Sequence, residues 1–154
     1  PRGGSAASTR SYAKTVELWN SRFSPALRYW TTNGKITRDE ADASIKAPIR
    51  EQVAMVLAWE AKGIWFSKDL RKSILYSVAV PGASQHVFML ALDVSQFADA
   101  RVRRILAKHG WFQTVKSDLP HFTYLGVSED DLPTLGLKRE VISGQTFWIP
   151  DMKE

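Results

Sequence analysis

Ser84-Gln85-His86-Val87-Phe88-Met89-Leu90-Ala91-Leu92-Asp93 and Asp118-Leu119-Pro120-His121-Phe122-Thr123-Tyr124 are the two stretches on which the reading of this chain turns. Each runs into an apolar, β-prone segment, predicted as strands over 87–94 and 122–125. Together they carry two imidazoles and two carboxylates. Two histidines and one carboxylate form a ligand set for a catalytic zinc, with the other acid free to act as general base. Such a site would make the chain a hydrolase.

The spacing within the first stretch opposes that idea. His86 and Asp93 are an odd number of residues apart, so a regular strand would turn them to opposite faces. Shared ligation requires His86 to lie in the loop before the strand, or a bulge within it. Asp93 stands in a run otherwise apolar, where a carboxylate is costly unless paired or bound to a cation. A strand-end aspartate turning the chain with Ser95 is the competing reading. In the second stretch Pro120 bends the chain, so Asp118 and His121 escape strand alternation. Asp118 also reads as an ordinary turn residue.

Working outward, Tyr12, Val16 and Trp19 recur at helical spacing and predict a helix over about 9–20. Pro25 and Asn33-Gly34 predict loops around a short apolar segment, 26–30. Thr37-Arg38-Asp39-Glu40 is a capping box that starts a helix to about Ile45. Pro48 opens another, with Gly63 placed to end it. After about residue 72 the pattern shifts to strands: 74–80, 87–94, 111–115 and 122–125. A helix over 99–109 ends at Gly110, and 132–137 reads as loop. Ser143-Gly144 is a turn between two more strands within 140–149. Helices first and strands second argue for an α+β fold, N-terminal helices packed on a small, mainly antiparallel sheet. Residues 1–8 read as a disordered tail and 9–154 as one domain, its helical part about 9–72 and its sheet part about 73–150.

At 154 residues the chain suits one domain, and 44% hydrophobic with 24% charged residues is ordinary for a soluble globular protein. The opening Pro1 to Ser8 has no apolar core and does not read as a signal peptide. No apolar run is long enough to span a bilayer. Cysteine is absent, which excludes disulfides, thiolate metal sites and cysteine nucleophiles. A net charge of +5 suits a polyanionic partner, but the basic residues are scattered and no nucleic-acid module appears. Ser84 lies near His86 without the glycine-flanked elbow of a serine hydrolase, and no phosphate-cradling glycine loop is present. His109, at the end of a predicted helix, reads as structural. Trp111 and Trp148 read first as core.

The pattern Ser84-x-His86-x-x-Met89-x-Ala91-x-Asp93, followed by a helix, Gly110-Trp111-Phe112 and then Asp118-x-x-His121-x-x-Tyr124, resembles the zinc D-alanyl-D-alanine carboxypeptidases and dipeptidases. Peptidoglycan-cleaving phage endolysins are related to them. The resemblance covers about residues 73–125. It implies that His86, Asp93 and His121 ligate one Zn2+, that Asp118 is the catalytic general base, and that Ser84 and Tyr124 contact substrate. It further implies peptidoglycan peptides as partners and an exported location. The chain departs from the family at three points: Met89 stands where the family has glycine, Asp118 where it has glutamate, and Tyr76-Ser77-Val78 lacks the family's arginine. A catalytically weak wall-peptide-binding domain of the same fold is the alternative expectation.

Overall fold

The computed structural model describes residues 8–152; residues 1–7 of the expected tail lie outside them. The fold is α+β, and the chain divides into two compact units between Ser84 and Gln85.

The unit Ser11–Ser84 is helical. Helix α1, Tyr12–Thr32, begins where Ser11 caps Lys14 and runs on through Pro25, correcting the expected break there. A mid-helix proline removes one hydrogen bond and costs about 3 kcal/mol. Here Trp19, Phe23, Ala26 and Leu27 form one buried stripe across it. Burial of the large members Trp19, Phe23 and Leu27, at about 1.5–3 kcal/mol each, outweighs the lost bond. Helix α2, Arg38–Lys46, carries the expected capping box: Glu40 N–H donates to Thr37 Oγ1 and Thr37 N–H to Glu40 Oε2. Helix α3, Ile49–Glu60, follows Pro48. Trp19 Nε1 donates to Gln52 Oε1 at 2.8 Å, and Gln52 Nε2 to the Ser44 carbonyl at 3.0 Å, tying the three helices through their core.

The expected strand at 74–80 is absent. Ile74–Tyr76 is a 3₁₀ turn, because the Ile74 N–H donates to the buried Glu60 Oε1 at 2.7 Å and not to a strand partner. The same oxygen accepts from Phe66 N–H at 3.1 Å, so one carboxylate pins both ends of the loop.

The second unit, from Gln85 onward with residues up to Arg10, holds two small sheets. In the first, β1 (Ala91–Asp93), β3 (His121–Tyr124) and β2 (Trp111–Phe112) lie antiparallel in that order. The expected strand over 87–94 is thus confined to three residues, preceded by a 3₁₀ turn at Gln85–Phe88. Helix α4, Ala100–Lys108, is capped by Asp99 and ends before Gly110, as its sequence signals. His109 is its C-cap residue. A 3₁₀ helix, Glu129–Leu135, replaces much of the loop expected at 132–137; it buries Leu132 against Phe112 and Trp148. Strands β4 (Leu137–Ile142) and β5 (Gln145–Pro150) form a hairpin. Its two-residue turn has positive φ at Ser143 and Gly144, the form that matches strand twist. No helix among the described residues is long and apolar enough to cross a membrane.

Candidate metal centre

Asp93 and His121 are register partners across β1 and β3, so their side chains leave the sheet on one face. His86 reaches them from outside the strand. Its 3₁₀ turn precedes Met89, whose φ of 57° swings the chain into β1. This removes the spacing obstacle, because alternation does not operate between His86 and Asp93. The Arg10 N–H holds the His86 carbonyl at 3.1 Å, and the Asp118 carbonyl accepts the His121 N–H at 3.0 Å.

His86 Nε2 lies 3.4 Å and His121 Nδ1 3.5 Å from the same atom, Asp93 Oδ1. The rings stand edge to face with centroids 5.1 Å apart. Donors about 2.0–2.1 Å from a tetrahedral ion are separated from each other by about 3.3 Å. The three donor atoms all lie within 4.8 Å of one another, and this group could hold a metal ion. His86 and His121 are buried and Asp93 is partly so.

The electrostatics fit a cation. Burial works to raise the Asp93 carboxyl, but hydrogen bonding and charge from His121 and His86 outweigh it and hold the group well below the usual carboxylate range. At these separations neither contact is an aligned hydrogen bond, and among the described residues Oδ1 is a buried atom without one. His121 Nε2 lies 2.8 Å from Gln85 Oε1, which also accepts from Thr123 Oγ1 at 2.9 Å. An amide oxygen makes Nε2 the donor, so the lone pair of a neutral His121 sits on Nδ1, facing Asp93. A lone pair against a carboxylate is repulsive without a cation between or upon them. This outer hydrogen bond is what orients metal-ligating imidazoles. His86 differs: its Nδ1 is buried without a hydrogen-bond partner among the described residues.

The other expected site residues are placed differently. Asp118 is exposed in the turn before Pro120, and its carboxylate makes no hydrogen bond or ion pair among the described residues. Tyr124 shares β3 with His121, but alternation turns it with Phe122 to the opposite face, where its ring packs 5.1 Å from Trp111. Ser84 is buried at the end of the helical unit. Gln85 is the residue that sequence reasoning missed. Its only signal was adjacency to His86, since the partner that gives it a role lies 36 positions away.

No protein-family model, no curated protein and no solved structure matches this chain.

Proposed function

We propose that this chain is a zinc-dependent peptidase that hydrolyses D-alanine-containing peptidoglycan stem peptides, in the manner of a D,D-carboxypeptidase. The observation that carries the reading is the convergence of His86 Nε2 and His121 Nδ1 on Asp93 Oδ1 at tetrahedral-edge distances. Two imidazole nitrogens and a carboxylate, without sulfur, suit zinc and leave a position for water. A second support is the left-handed backbone at Met89, the place where the resembled family has the one residue that adopts it without strain.

Zinc held there supplies a Lewis acid that polarises the scissile carbonyl and acidifies its water. The chain's own residues do the rest. Gln85 keeps His121 in the tautomer with a free Nδ1. Asp93 stays ionised into acid, so one negative charge offsets part of the ion's. Asp118 takes a proton from the attacking water and passes it to the leaving amine. The substrate class assigns the protein to the cell envelope.

The exposure of Asp118, outside the donor group, favours a second reading: a zinc-containing domain that binds wall peptides without turnover. Metal analysis and defined stem peptides separate the two. About one zinc per chain is expected, lost in His86→Ala. Release of D-alanine, followed by mass and abolished by chelator and by Asp118→Ala, identifies the enzyme. Binding without product identifies the second reading. Absence of stoichiometric zinc after reconstitution sinks both.

A further inference from the structure

A cleft of about 270 Å³ lies wholly within the second unit, between α4, the β2 edge and the β4–β5 hairpin. None of the three candidate ligands lines it. Arg103 and Arg104 enter from α4 and Arg139 from β4. Among the described residues none of these guanidiniums is within ion-pair distance of a carboxylate. The cleft does hold an acid, Glu129, but Glu129 Oε1 accepts from the indole Nε1 of Trp148 at 3.3 Å. Arg103 spends Nη1 on the Phe97 carbonyl at 2.8 Å, and Arg139 spends Nη2 on Thr146 Oγ1 at 3.3 Å. Each guanidinium has five N–H donors, so most of their capacity is uncommitted.

A second observation is independent of charge. Gln113 lines the same cleft and is 2% exposed. Its Nε2 donates to the Leu119 carbonyl and to Gln145 Oε1, while its own Oε1 is buried with no hydrogen-bond partner among the described residues. A buried acceptor left unmet calls for a donor, from a water or from an N–H of a ligand and not from its oxyanion. Trp111 and Trp148 supply flat apolar walls beside it.

We infer that this cleft binds a small organic oxyanion: a carboxylate or phosphate gripped by Arg103, Arg104 and Arg139, carried on a flat or apolar body that rests on the two tryptophans. Planar guanidinium forks match both oxyanions in geometry, and arginine also stacks on flat groups. The inference does not depend on a metal at His86, Asp93 and His121.

The test is calorimetric titration of the full chain, in chelator, with inorganic phosphate, with hippurate (a carboxylate, an amide N–H and a ring) and with neutral hippuramide. Saturable binding of hippurate or of phosphate is expected, with hippuramide silent; whichever anion binds more tightly identifies the head group. Arg104→Gln and Arg139→Gln, both at exposed positions, are expected to weaken binding roughly tenfold each. The indole signals of Trp111 and Trp148 are expected to shift while the ring signals of His86 and His121 stay. Equal binding of hippurate and hippuramide, indifference to both substitutions, or no saturation below about 10 mM would overturn the inference.

Discussion

At the scale of single residues, Gln85 and Met89 matter through what they do to their neighbours. Gln85 Oε1 accepts from two donors, His121 Nε2 and Thr123 Oγ1, and Thr123 Oγ1 in turn meets Thr114 Oγ1 at 2.7 Å. The imidazole is therefore held by a chain of hydrogen bonds and not by packing alone. Gln85→Leu keeps the side chain's approximate volume and removes the acceptor. It is expected to weaken metal binding by about 10–100-fold, read by competition with a chromogenic chelator. An unchanged affinity would show that Gln85 does not set the ring. Met89 is 67% exposed and sits at φ 57°, so its side chain contributes little to offset a strained backbone. The left-handed conformation costs a non-glycine residue about 1–2 kcal/mol, part of which glycine returns through its freer unfolded chain. Met89→Gly is expected to stabilise the fold by about 0.5–1 kcal/mol in denaturant titration.

At the scale of elements, the join between α4 and β2 depends on Gly110. Its φ is 76°, and a Cβ there would stand 3.0 Å from the Cα and N of Gly126, backbone that cannot step aside. Gly110→Ala is expected to destabilise by at least about 2 kcal/mol, strain and overlap adding together. The start of α2 gives a pH signature. The Thr37 backbone N–H and then its hydroxyl hold the Glu40 carboxyl below its ordinary value of 4.5. A depressed carboxyl contributes stability that is present above the ordinary value and is lost as pH falls through the lower, folded one. Thermal midpoints measured from pH 7 downward should therefore show a loss beginning below about 4.5 that Glu40→Gln removes. These two elements were legible beforehand because their causes are local. A capping box is a hydrogen bond between residues three apart, and a helix that ends at glycine is a matter of one φ angle. Ile74–Tyr76 was not legible: its sequence is β-prone, and only Glu60, 14 positions away, claims the Ile74 N–H.

At the scale of the whole molecule, the two units have separate cores, one around Trp19, Phe66 and Val56, the other around Phe112, Leu132 and Trp148. All three candidate ligands belong to the second unit. A metal that binds only the folded state stabilises the elements that hold it in proportion to its occupancy. Zinc is therefore expected to slow amide exchange in 85–93 and 121–124 while the Trp19 core exchanges at an unchanged rate. Uniform protection of both units, or none, would contradict a site built on those two segments. Read alone, the chain's letters determine the donor types, the helix caps, the Ser143-Gly144 turn and the α+β class, because each depends on chemistry within a few residues. Only the tertiary structure decides that α1 runs through Pro25, that the strand after His86 shrinks to three residues, that Gln85 faces His121, and that Tyr124 turns to the face opposite His121. Those outcomes depend on which distant group buries a side chain or accepts an N–H, and spacing along the chain carries no record of that.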